Sequence, residues 1–157
     1  MTHDIASQIA KKTEREVIDT GGIGGTLAGN ALSLAAMRAT LTDVLTEKNF
    51  KTMIELGNRW CDGVDAAIKE FSLPWHVNRS GARGEYLFQE RAARTGGEAA
   101  RAGDFELEQY IHLRLLNDGF LLTPFHNMAL MSPCTTQKDV DAHTAAFRAM
   151  CQELVSS

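Results

Sequence analysis

Three features of the 157-residue sequence predict an α+β fold. Two stretches repeat apolar residues at helical spacing, Leu34, Met37, Leu41, Val44 and Leu45 in the first and Phe50, Met53, Ile54, Trp60, Val64, Ala67, Ile68 and Phe71 in the second. Such a stripe gives a helix one face to bury. Two short extended runs, His76-Val77-Asn78-Arg79 and Glu85-Tyr86-Leu87-Phe88, flank Ser80-Gly81-Ala82-Arg83-Gly84, which reads as a strand pair joined by a turn. Downstream, helical spacing returns twice with an extended passage between.

In chain order, Ile5, Ile9, Lys11 and Lys12 predict a short amphipathic helix, and Glu16-Val17-Ile18-Asp19 a strand leading into a glycine-rich loop. In that loop, Gly21, Gly22, Gly24 and Gly25 let the backbone turn tightly and approach a ligand, and the Ala/Leu/Met-rich run after Asn30 is a strong helix former. Unpaired backbone N–H groups and the positive end of a helix dipole favour an anion at such a junction, and the Thr26 hydroxyl adds a donor, so phosphate is the expected guest. On the residues alone the alternative stays open: a structural connector with Asn30 as the helix cap.

The first helix is expected over residues 30–46 and the second from Glu47 until Pro74 ends it, with Trp60 in the core. Residues 90–103 are rich in Ala, Arg and Gly without apolar periodicity, which predicts an exposed, mobile excursion. Asp104 caps a helix carrying Leu107, Tyr110, Ile111, Leu113 and Leu116, and Asn117-Asp118-Gly119 stops it. Extended runs at residues 120–124 and 128–131 flank a bend, Phe125-His126-Asn127. Thr136 with Asp139 forms a capping box for the last helix, whose face is Val140, Phe147, Met150 and Leu154.

Composition narrows the function. A hydrophobic content of 44% with 23% charged residues is that of a globular domain, and a net charge of -4 without a basic stripe argues against nucleic acid. Cys61, Cys134 and Cys151 lack zinc-site spacing and fit a reducing, cytoplasmic compartment. Neither a leader nor a membrane span is expected. His126, in its bend, is a candidate substrate contact, and His112 a weaker one. Arg79 and Arg83 could grip a carboxylate in two-pronged fashion, but charges solvated beside a strand are the simpler expectation.

The segment Gly24-Gly25-Thr26-Leu27-Ala28-Gly29-Asn30-Ala31-Leu32 resembles the Gly-Thr-x-x-Gly-Asn-(Pro/Ala)-Leu segment of class III pyridoxal-phosphate aminotransferases, in particular glutamate-1-semialdehyde aminomutase-like members. The downstream order of elements fits the same family over nearly the whole chain. The resemblance implies the C-terminal part of a fold-type I transferase: residues 1–46 the tail of the cofactor domain with its connecting helix, and 47–157 the smaller domain. It also implies pyridoxal 5'-phosphate as cofactor. Gly25 and Thr26 would contact the cofactor phosphate, typically in the partner subunit's site, and His126 would lie on the substrate side.

Partners so implied are a second copy or a full-length relative, and an amino acid or related amine as the parent's substrate. The family's Schiff-base lysine has no match here, since that position falls before Met1 and neither Lys11 nor Lys12 has the right context. The chain alone is therefore expected to be inactive. The other reading is a non-catalytic module that binds a phosphorylated ligand or serves dimerisation.

Overall fold

The computed structural model describes residues 3, 4, 7, 29–122 and 126–156. Most of the expected N-terminal helix, the strand at residues 16–19, the glycine run and Thr26 lie outside them. The chain divides into two compact units, Met1–Asp43 and Val44–Ser157.

In the first unit, α1 (Ala31–Ala39) begins at Asn30, whose side chain accepts from the Ser33 N–H at 2.9 Å. The expected cap is thus present. A π-helical segment, Thr40–Val44, takes over before the residue at which the helix was expected to end. The predicted apolar face is not a core: Leu34, Met37 and Leu41 are all exposed. Periodicity fixes where a helix would bury a stripe, whereas burial itself requires a surface to meet it.

The second unit is organised on α2 (Glu47–Glu70), capped by Thr46 and burying Met53, Leu56, Gly57, Trp60, Cys61, Val64, Ala67 and Ile68. Positions three and four apart line one side throughout, and Trp60 is core as expected. The buried stripe differs from the predicted one at its start. Phe50 and Ile54 are exposed, while Leu56, Gly57 and Cys61 are buried in their place. The helix also stops well ahead of Pro74. Ser72 adopts φ +53°, with its N–H bonded to Lys69 O at 3.2 Å and the Leu73 N–H to Ile68 O at 3.0 Å. That pair of bonds closes the helix end as a left-handed C-terminal cap does, a conformation that costs a non-glycine residue.

Strands β1 (His76–Ser80) and β2 (Arg83–Leu87) pair antiparallel with Ser80 opposite Arg83, leaving Gly81-Ala82 as a two-residue turn. Gly81 has φ +59°, the conformation tight hairpins require at their first loop position. β3 (Met128–Leu130) lies antiparallel on the other side of β2, giving the order β1-β2-β3. Hydrogen bonds from Tyr86 N to Asn127 O and from Met131 N to Ala82 O, both 3.0 Å, continue that ladder beyond the strand ends. On β2 the alternation puts Gly84 and Tyr86 inward against α2.

Residues 90–103 depart from expectation, because α3 (Gly96–Arg101) forms there. Thr95 accepts from the Glu98 N–H at 3.2 Å, and Glu98 in turn accepts from the Arg94 N–H at 2.6 Å. Two reciprocal bonds at the helix start offset two adjacent glycines, a capping signal that a search for apolar periodicity overlooks. In α4 (Phe105–Asn117) the cap is Asp104 as predicted, but the buried residues are Ile111 and Leu115, and Leu113 and Leu116 are exposed. The Thr136–Asp139 box is present, with Asp139 Oδ2 accepting from Thr136 N at 2.8 Å. It opens α5 (Gln137–Ser156), which buries Val140, His143, Phe147, Met150 and Cys151.

The core is aromatic at its centre. Trp60, Tyr86 and Phe147 are almost wholly buried, with Tyr86 at 6.3 Å from Trp60 and 5.1 Å from Phe147 between ring centroids. At the rim, Arg59 of α2 forks onto Asp141 of α5 at 2.5 and 3.0 Å, and Arg114 of α4 onto Glu153 at 2.8 Å. These exposed pairs fix how the helices align more than they stabilise them. Among the described residues no helix is long and apolar enough to cross a membrane.

Two substitutions test this packing. A Cβ on Gly84 would sit 2.5 Å from Cys61 Sγ and 2.6 Å from the Trp60 ring, so Gly84→Ala is expected to cost about 3 kcal/mol in urea unfolding, the upper end for an overpacked core. Ser72→Gly relieves the left-handed backbone at an exposed position and is expected to raise stability by about 1 kcal/mol in the same assay.

Candidate functional site

His126 occupies an exposed bend immediately before β3. Its Nδ1 is 4.0 Å from Glu85 Oε1, on the strand that pairs with Met128. The sheet register is what brings them together: Glu85 and Met128 are opposite, so the residue two positions before Met128 reaches the same end of β2. His126 also lines a crevice of about 20 Å³ with Tyr86, Glu108, His112 and Asn127. That is room for a single water. Burial pushes the Glu108 carboxyl upward, while His126 pulls it the other way. The Tyr86 phenol, fully enclosed, is pushed up by desolvation, and its hydroxyl is buried without a hydrogen-bond partner.

Arg79 and Arg83 engage the chain's own carboxylates, Arg79 with Asp62 at 2.7 Å and Arg83 with Glu85 at 3.1 Å. Gly25 and Thr26 lie outside the described residues, and so do residues 123–125 of the run before His126.

A larger cleft, about 400 Å³, opens between residues 119–122, β3 and the start of α5. Trp60, Phe120, Leu122, Met131, Val140 and His143 make its apolar wall, and Thr135 and Asp139 add polar groups. His143 is 4% exposed and both of its ring nitrogens lack a partner, as does Trp60 Nε1. Desolvation lowers the His143 pKa to about 4, so its imidazole is neutral at pH 7. Among the described residues no cluster of His, Cys, Asp and Glu could hold a metal ion.

Comparison with known proteins defines the class. No family model matches the chain. A glutamate-1-semialdehyde aminomutase from Pseudomonas aeruginosa PAO1 is 52% identical in sequence and superposes with a TM-score of 0.79, over 85% of this chain and 29% of that one. A variant of such an aminomutase from the same organism, in complex with PMP, is 53% identical with a TM-score of 0.78, over 84% of this chain and 29% of its own. By sequence, glutamate-1-semialdehyde 2,1-aminomutase 2 of Halalkalibacterium halodurans is 32% identical over 126 residues, 79% of this chain and 29% of the relative. The fold is therefore that of a part of the pyridoxal-phosphate-dependent aminotransferases. The relatives and solved structures it resembles at these levels of sequence identity are glutamate-1-semialdehyde aminomutases, and the chain spans about 29% of their length.

Neither of these two cavities by itself fits such a cofactor. A phosphate and an aldehyde call for cationic or N–H donors and an amine, and neither cavity is lined by a lysine or an arginine. Of the groups the cavities do gather, sequence reasoning singled out His126 and, less strongly, His112. It missed Tyr86, Glu108 and His143 as site groups. For His143 a signal existed, since it stands three residues after Val140 and four before Phe147, on the face predicted to be buried.

The buried imidazole makes stability depend on pH. The unfolded chain takes up a proton near the ordinary histidine value of 6.5 that the folded His143 refuses until about 4. Stability from this group is therefore fully present above 6.5 and declines as pH falls toward 4, by up to roughly 3 kcal/mol. Urea midpoints measured across that window are expected to fall less steeply in His143→Phe than in the wild type.

Proposed function

We propose that this chain acts as the C-terminal portion of a pyridoxal-phosphate-dependent aminomutase or aminotransferase, with residues 1–46 serving the cofactor domain and 47–157 forming the small domain. The observation that carries the reading is the 52–53% identity, over 84–85% of the chain, to the P. aeruginosa aminomutase, one of whose structures holds PMP. In the complete enzyme the reaction is the transfer or shift of an amino group on an amino acid or related amine. Thr26, with the Gly25 N–H beside it, binds the cofactor phosphate, and His126 faces the substrate.

In the same reading the 157 residues by themselves do not transaminate, because no lysine in them matches the one that holds the cofactor in the family. They associate with a second copy or with a full-length relative. Exposed Leu32, Leu34, Met37 and Leu41 support that association, since apolar surface of this kind favours a covering partner. A cytoplasmic setting is consistent with Cys61, Cys134 and Cys151 all being free thiols.

Titrating the chain with pyridoxal 5'-phosphate and following visible absorbance is expected to give no band of lysine-bound cofactor and no turnover. A band that persists when Lys11 and Lys12 are both replaced by Ala would overturn the reading. In a complete enzyme carrying this sequence, Thr26→Ala is expected to weaken cofactor binding by about 1.5–3 kcal/mol, the worth of one hydrogen bond to a charged group, with folding unchanged. An unchanged dissociation constant would make the glycine loop a structural connector. In that same enzyme His126→Ala is expected to alter KM or the preference among amino substrates while the cofactor stays bound, and equal kinetics across several amino acids would remove His126 from the site.

A further inference from the structure

The cleft between residues 119–122, β3 and α5 contains three polar atoms whose hydrogen-bonding capacity goes unused: Nδ1 and Nε2 of His143 and Nε1 of Trp60. Leaving such groups unpaired in a core costs free energy, and buried polar groups in folded proteins are almost always satisfied. Its ring is packed between Trp60 at 5.5 Å, Phe120 at 5.4 Å and Phe147 at 6.1 Å, and neither ring nitrogen is hydrogen-bonded to any of them. Asp139, the one carboxylate on the wall, accepts the N–H and hydroxyl of Thr136 on its Oδ2, at 2.8 and 2.7 Å.

We propose that this cleft binds a small uncharged molecule with an apolar body and one hydroxyl, which accepts from the Trp60 indole N–H and pairs with His143. The volume of about 400 Å³ lies within the range of small-molecule pockets, and an apolar wall with a few convergent polar groups is their usual make-up. The charge of the ligand follows from the wall. No lysine or arginine lines it to hold an anion, and Asp139, the one carboxylate, already holds Thr136 on its Oδ2. A hydroxyl both donates and accepts, so it can take the indole N–H while giving its proton to the lone pair of a neutral imidazole. The nitrogens carry no open surface, so a hydroxyl reaches them only when the packing around the ring, Phe120 edge-on among it, yields. The site shares Leu122 with the crevice at His126 and does not rest on the enzymatic reading.

Benzyl alcohol and toluene, alike in body and different by the hydroxyl, are the probes, titrated into the full 157-residue chain with the His143 ring nitrogens and the Trp60 indole N–H followed by NMR. Benzyl alcohol is expected to shift both sets of signals and to bind about tenfold more tightly than toluene, as one net hydrogen bond implies. In His143→Phe, which keeps an aromatic ring in place, that preference is expected to disappear. Equal binding of the two probes, no shift with either, or a preference that survives His143→Phe would each overturn the proposal. Should the variant not fold, the comparison of the two probes on the wild type decides alone.

Discussion

The second unit depends on how closely β2 approaches α2 at Gly84. With no side chain there, the strand rests directly on Trp60 and Cys61, at a distance where even a methyl group would collide. That approach lets Tyr86, two residues along the same face, stack beside Trp60 and meet Phe147 of α5. Once β2 is seated, the positions of β1 and β3 follow from its two edges, and the bend carrying His126 follows from the pairing of Glu85 with Met128. One glycine thus couples helix, sheet and candidate site. Close packing explains the coupling, because a dense interior transmits displacement instead of absorbing it.

Much of this was legible in the sequence. The α2 stripe, the hairpin around Gly81, and the caps at Asn30, Asp104 and Thr136 rest on signals that act within a few residues, and local physics decides them. What was not legible depends on contacts distant in sequence. Leu115 rather than Leu113 or Leu116 is buried because α4 packs on α5, which helical spacing alone does not specify. The helix at residues 96–101 was missed for a different reason: its start rests on Thr95 and Glu98 and not on apolar periodicity. The crevice at His126 combines residues from β2, α4 and the bend, so only the fold could bring Glu108 and His112 beside it.

The same distinction separates ancestry from chemistry. A short glycine-threonine segment and the order of elements point to the class III aminotransferases, and 52–53% identity to an aminomutase structure over most of the chain supports the family by an independent route. The described residues hold an apolar core, a crevice for one water and a cleft with an unsatisfied imidazole, and no lysine or arginine lines either cavity.

Native-state hydrogen exchange resolved by residue tests the central claim, that α2, β2 and α5 form one cooperative body fixed by the contact at Gly84. Amides of Trp60, Val64, Tyr86, Phe147 and Met150 are expected to exchange only through global opening, with a common free energy that falls together in Gly84→Ala. Separate opening energies for the helix and the strand, or protection in α2 that is unmoved by Gly84→Ala, would contradict it.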